Sequence, residues 1–240
     1  MHIDVVTIFP DLIADALGYG ILGRAAAGDL VNIAVYDLRD YCHDRHSQVD
    51  DTPYGGGPGM VMKPEPFFEA VSSLQAEADQ PGHVILLSPQ GRLFNQQIAR
   101  QLTQHGRLIL LCSRYEGIDE RVREALADQE LSIGDYVLSG AEFAALVVMD
   151  AVVRLLGGVL GNEASTLQES HAEGLLEYPQ YTRPALYEGM AVPELLVRGH
   201  HEEIRRWRRR QALKRTLERR PDLLSSADLT DEDWQILGEL

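Results

Sequence analysis

Val84-Ile85-Leu86-Leu87-Ser88-Pro89-Gln90-Gly91 is a short apolar run that breaks off into a serine, a proline and a glycine. The run has the length of one strand, and the Pro and Gly that follow it punctuate the chain as a loop. Outward from it the same unit recurs. Further strands are expected at 3–9, 31–36, 108–112 and 132–138, and helices at 10–27, 65–79, 95–105, 118–127 and 142–156. Short β-branched runs alternating with longer helical stretches predict an α/β domain with a mainly parallel sheet over residues 1–160.

Residues 157–174 lose this pattern and become rich in glycine and polar side chains, the composition of a linker or functional loop. A small, mostly helical C-terminal domain is expected over 177–240, with 161–176 joining it to the first. Its basic helix should stop at Pro221. The apolar residues Ile204, Trp207, Leu213 and Leu217 do not form one clean stripe, so this helix rests on propensity rather than periodicity.

The formal net charge is −15 over 240 residues, yet residues 198–220 hold ten Lys/Arg against three acids and carry +7. Such a run is ordinarily a solvated helix face. On an acidic body it is also the footprint of a face that meets phosphates. The two cysteines, Cys42 and Cys112, are far apart and form no C-x-x-C pair. That speaks against a disulfide framework and a zinc site. The start of the chain lacks a basic region followed by an apolar one, and the apolar run 143–149 is too short to span a bilayer. A soluble, cytoplasmic protein without a membrane partner is expected. No G-x-G-x-x-G follows the first strand and no P-loop motif occurs, which disfavours dinucleotide and NTP enzymes.

The glycines fall in other loops. Asp50-Asp51-Thr52-Pro53-Tyr54-Gly55-Gly56-Gly57-Pro58-Gly59-Met60 is the densest. Ser88–Gly91, Cys112-Ser113-Arg114-Tyr115-Glu116-Gly117-Ile118-Asp119 and Ile133-Gly134-Asp135-Tyr136-Val137-Leu138-Ser139-Gly140 each fall at or beside an expected strand. Loops at strand ends are where open α/β sheets take ligands, and these could share one pocket. Cys42-His43-Asp44-Arg45-His46 matches no zinc spacing and reads as RNA-contacting or structural.

The stretches 50–62, 87–92, 113–123, 133–140, 158–165, 174–184 and 203–209 closely resemble the TrmD family of bacterial tRNA (guanine-N1)-methyltransferases. Seven motifs occur in order, and the match extends from 4–10 to 219–221, about nine-tenths of the chain. The resemblance implies the SPOUT class, whose parallel sheet ends in a deep trefoil knot. It implies S-adenosyl-L-methionine as methyl donor, guanosine 37 of tRNA as acceptor, and a homodimer whose active sites draw on both subunits. Cofactor binding then falls to Leu87, Pro89, Ser113, Tyr115, Glu116, Gly117, Ile133, Gly134, Asp135, Tyr136, Val137, Leu138 and Gly140. Arg208, Arg209 and Arg215 are expected on the tRNA.

The chemistry of N1 sets further demands. A neutral guanine carries a proton there, so methylation requires a base to remove it and a donor or cation facing O6. The sulfonium of S-adenosyl-L-methionine is already activated, so the displacement needs no metal, and participation of Mg2+ stays open. The family's arginine maps to Arg154 and its basic carboxylate to Glu169. Here the sequence departs from the family, with Glu169-Ser170-His171 in place of Asp-Ser-Phe. Glu173 and Glu177 are further carboxylates on the same loop and remain alternatives. Ser113 and Ala141 stand where glycine is usual, and Ala144 where proline is common. A different SPOUT methyltransferase acting on ribosomal RNA or a ribose 2′-OH, or a non-catalytic RNA-binding protein, are the competing functions.

Overall fold

The computed structural model describes residues 1–76, 80–161, 169–198 and 200–240. It divides into two compact units, 1–161 and 162–240. Of the segment expected to be a linker, residues 162–168 lie outside the described residues, as do 77–79 of the expected helix 65–79.

The first unit begins with β1 (His2–Thr7), helices α1 (Pro10–Leu17) and α2 (Gly20–Ala27), and β2 (Asn32–Asp37). A two-stranded ribbon of β3 (Asp50–Asp51) and β4 (Val61–Met62) precedes α3 (Pro64–Ala76). Then come β5 (His83–Leu93), α4 (Gln96–Leu102), β6 (Arg107–Cys112), α5 (Glu120–Leu126), β7 (Gln129–Ser132) and α6 (Glu142–Val153). The five long strands form one sheet in the order β2-β1-β6-β5-β7, and every pairing is parallel. The α/β class is therefore as the alternation predicts.

The central strands are apolar at nearly every position because both faces of the sheet are covered. Successive side chains point to opposite sides. Ile3, Val5, Ile85, Leu87, Leu108, Leu110 and Cys112 join one buried cluster with residues of α1, α2, α4 and α6. Val6, Val84, Leu86, Ile109 and Leu111 join the other, with Phe67, Ala70 and Leu74 of α3 and Val122 of α5. A buried carboxylate interrupts β1: Asp4 is held at 2.6 Å by Arg107 and at 2.7 Å by His2.

Three expected elements are corrected. The loop expected at Ser88–Gly91 lies inside β5, which resumes pairing with β7 after a register shift between Leu87 and Arg92, Gly91 letting it pass close against the Leu131 backbone. The helix 10–27 is two helices, parted at Gly18–Tyr19, with Gly18 capping α1. The strand 132–138 is a loop. β7 ends at Ser132, whose hydroxyl bonds the Gly134 carbonyl at 3.1 Å, and the Tyr136 amide folds back onto that carbonyl at 2.9 Å. The apolar Tyr136-Val137-Leu138 run looks like a strand in sequence but is exposed, Val137 at 86%.

The second unit contains β8 (Leu186–Tyr187) and β9 (Met190–Ala191), then α7 (Glu194–Arg198), α8 (His201–Arg219) and α9 (Asp231–Gly238). α8 is the basic helix, and it stops before Pro221. It buries only Ala212, Leu213 and Thr216, which accounts for the missing apolar stripe. The buried Thr216 hydroxyl is satisfied twice, donating to the Ala212 carbonyl at 2.8 Å and accepting from the Leu176 amide at 2.9 Å.

Candidate active site and nucleic-acid interface

The 87–89 stretch of β5, where its pairing with β7 breaks register between Leu87 and Arg92, and the loops that leave β6 and β7 enclose one cleft of about 200 Å³. Leu87, Pro89, Ser113, Tyr115, Glu116, Gly117, Ile133, Gly134, Tyr136, Val137, Leu138 and Gly140 all line it, whereas Asp135 of the expected set does not. Ser88, Arg114, Leu131, Ser132, Ser139, Ala141 and Ala144 complete the wall. Ala144 buries its side chain on α6.

Backbone hydrogen bonds hold the loops together. The Glu116 amide donates to the Met60 carbonyl at 3.0 Å, Met62 to Gly117 at 2.9 Å, and Asp119 to Met62 at 2.9 Å. These bonds sew the glycine-rich 50–62 loop to the loop after β6. Gly55, Gly56, Gly57 and Gly59 all take positive φ, the conformation that side chains resist. From the far side, the Ala141 amide donates to the Ser113 carbonyl at 3.0 Å, and Arg114 bridges Gly140. Burial, with the Asp50 carboxylate behind it, raises the Tyr115 hydroxyl above the usual tyrosine range.

Under this junction lies a buried ion pair that the sequence reading missed. Glu142, in the first turn of α6, is fully buried and accepts from the Thr7 hydroxyl at 2.8 Å. Arg114 reaches the same carboxylate with Nε at 3.1 Å and Nη2 at 3.0 Å, and its guanidinium lies 4.2 Å from the Phe9 ring centroid. The guanidinium passes directly over Gly140, where any side chain would overlap Arg114. An arginine in a strand-end motif and a glutamate opening an apolar helix were the available signals. Nothing in their spacing joined them.

Ser113 also has a use. Its hydroxyl donates to the Leu87 carbonyl at 3.0 Å, tying the end of β6 to the point in β5 where the register with β7 breaks. Burial, and then the charge of Glu142, raises the Cys112 thiol well above its ordinary value, so it stays neutral.

Arg154 caps the C-terminal end of α6 and is half-buried. In the second unit, Glu169 lines a larger groove of about 1220 Å³ together with Glu173, Glu177, Arg208 and Arg209. The loop carrying these acids is folded back on itself. Ala172 donates to the Glu169 carbonyl at 3.0 Å, His171 to Leu175 at 2.7 Å, and the Glu177 amide to the Ser170 hydroxyl at 2.9 Å. Glu173 pairs with Arg209 at 2.9 Å, and Glu177 accepts from Gln180.

The three arginines expected on tRNA differ in their surroundings. Arg209 grips the buried Asp233 at 2.7 Å. That pairing, with support from Thr230, lowers the Asp233 carboxyl to about 2. Arg215 donates to the Glu177 carbonyl at 3.4 Å. Arg208 lies 4.8 Å over the Tyr178 ring and has no carboxylate partner among the described residues. His43 is on the surface, paired with Glu69 at 2.6 Å, and Asp44 accepts from the amides of His46 and Gln48, both at 2.9 Å. No helix among the described residues is long and apolar enough to cross a membrane.

The model of the family described as tRNA (Guanine-1)-methyltransferase TrmD matches residues 1–226. Proteins named tRNA (guanine-N(1)-)-methyltransferase are similar along the whole chain. The one from Dehalococcoides mccartyi strain 195 is 52% identical over 240 residues, covering 100% of this chain and 97% of that protein. The one from Dictyoglomus turgidum is 55% identical, with 100% and 96% covered, and that from Chloroflexus aggregans is 55% identical, with 100% and 95%.

Proposed function

This chain belongs to the TrmD family of tRNA (guanine-1)-methyltransferases, and from that premise we propose that it takes the methyl group of S-adenosyl-L-methionine to N1 of guanosine 37 in tRNA. It is an enzyme, and its reaction is methylation of tRNA guanine at N1. The observation that carries the finer reading is the cleft, where the 87–89 stretch of β5 and the loops after β6 and β7, far apart in sequence, meet. Leu87, Ile133, Leu138 and Ala144 offer apolar walls for a flat heterocycle among polar loop backbone, which suits an adenosine. When bound there, S-adenosyl-L-methionine supplies an activated methyl on a sulfonium. A trefoil knot is supported by the Ala141–Ser113 bond and the Arg114–Gly140 bridge, through which the chain after β7 returns against the loop after β6.

In the reaction, Glu169 accepts the N1 proton and Arg154 faces O6, where negative charge gathers as the proton leaves. Among the three loop carboxylates the choice falls on Glu169 because it stands at the position of the family's basic carboxylate. The second unit is the tRNA-binding domain, through Arg208, Arg209 and Arg215. A homodimer is supported by Phe143 and Val147, one turn apart on α6 and 52% and 47% exposed. Methyl incorporation into tRNA transcripts with and without guanosine at position 37 tests the reading. Transfer to both transcripts alike, or to neither, refutes it.

A further inference from the structure

The second unit balances most of its charge internally. Arg198 pairs with Glu194, Arg205 with Glu202, Arg206 with Glu232, Arg209 with Asp233, Arg210 with Glu239, Lys214 with Glu218 and Arg220 with Asp222. Arg183 and Arg208 have no carboxylate partner among the described residues, and both line a groove of about 790 Å³ between the 178–183 segment and α8. Among the described residues no acidic side chain lines that groove, in a chain with a net charge of −15. The larger groove of the same unit, which shares Arg208 with this one, sets six carboxylates, Glu169, Glu173, Glu177, Asp228, Glu232 and Asp233, against its arginines.

Aromatic surface accompanies the cations. Tyr178, Tyr181 and Trp207 contribute three rings to the groove, and Tyr181 is 50% exposed. The Tyr178 ring already carries a planar group on one face, the Arg208 guanidinium at 4.8 Å. Exposed rings beside cations that lack an internal counter-charge are the elements with which proteins take single-stranded nucleic acid: bases stack on the rings while phosphates meet the arginines. A paired base cannot offer its face, because its neighbours cover it.

We propose that this groove is a stacking subsite for an unpaired nucleotide of the RNA substrate, with Tyr181 and Trp207 taking the base and Arg183 and Arg208 its phosphates. The proposal rests on the reading of this chain as a tRNA methyltransferase and adds a contact distinct from the methylated guanine.

Trp207 and Trp234 are the two tryptophans of the chain, so a Trp234→Phe protein reports on Trp207 alone. Titrating it with a seven-nucleotide single-stranded oligoribonucleotide of the anticodon-loop sequence should quench Trp207 fluorescence, and the same sequence in a duplex should not. In the full-length protein, Tyr181→Ala and Trp207→Ala should each weaken binding of that oligonucleotide by roughly 5- to 150-fold with an unchanged salt slope, the effect of losing one stacked base. Trp207→Phe should restore most of it. Arg183→Gln should instead flatten the salt slope by about 0.7.

Tyr181→Ala serves where Trp207→Ala fails to fold. Absence of quenching together with undiminished binding by Tyr181→Ala overturns the subsite. So does a Tyr181→Ala protein that loses self-association in sedimentation but keeps its RNA affinity, since a second copy then covers the groove. Methylation of tRNA by a protein whose groove fails these tests leaves the enzymatic reading standing. Binding and quenching without methyl transfer would refute that reading and leave the subsite.

Discussion

Glu142→Gln tests whether the buried ion pair organises the cofactor cleft. Glutamine keeps the shape of the side chain and one acceptor for the Thr7 hydroxyl, now at 2.8 Å. It replaces the other oxygen with an amide donor facing Arg114, whose Nη2 lies 3.0 Å away and whose side chain is 17% exposed. Removing one partner of a buried pair costs about 3–5 kcal/mol, because the other is left as an uncompensated charge. Part of that is relieved here, since Arg114 keeps its stack on Phe9 and limited access to water. A loss near 3 kcal/mol is expected, read as a lower urea midpoint with the same m-value. Arg114 also forms the bridge to Gly140, so losing about one backbone hydrogen bond, ~1 kcal/mol, should weaken cofactor binding about fivefold by calorimetry. A double replacement, Arg114→Met with Glu142→Met, should be less damaging than the two single changes summed, giving a coupling of at least ~1 kcal/mol. An unchanged midpoint and cofactor affinity in Glu142→Gln would refute the reasoning.

Glu169→Gln should keep cofactor and tRNA affinity but slow single-turnover methyl transfer ~100-fold or more, since an amide cannot accept the N1 proton. Glu169→Asp probes whether the loop is set for the longer side chain. Full activity in Glu169→Gln alongside a dead Glu173→Gln would move the base. Asp233 has its carboxyl lowered from 3.8 to about 2, so it contributes about 2 kcal/mol that is present above pH 4 and lost as pH falls towards 2. Acid unfolding of Asp233→Asn should show neither that stability nor that loss; an unaltered acid profile counts against the Arg209 pairing. Arg208→Glu with Arg215→Glu should weaken tRNA binding and lower its salt slope, by about 0.7–0.9 for each phosphate no longer neutralised, while cofactor affinity holds. Arg209 is left out because its reversal would also strand Asp233.

The sheet was readable because its strands carry uninterrupted apolar runs such as 108–112, which only a sheet covered on both faces demands. The loop at 133–138 misled for the same reason: Tyr136, Val137 and Leu138 are apolar without being buried, as residues facing a ligand cleft can be. Pairwise physics is what a linear reading loses. Glu142 and Thr7 are 135 positions apart, and neither spacing nor composition marks them as partners. Charge counting likewise finds the basic segment but not the acids outside the run that answer it, Glu173, Glu194, Asp222, Glu232, Asp233 and Glu239.

The Ser113–Leu87 bond bears on inhibitor selectivity. A carbonyl beside a break in strand pairing is an attractive anchor for a heterocyclic N–H, and with glycine at position 113 no hydroxyl would compete for it. Here Ser113 already donates to it at 3.0 Å and narrows the approach by a hydroxymethyl group. A compound optimised through that anchor on a Ser113→Gly protein should lose potency against this chain, while one that accepts from the serine hydroxyl should gain it.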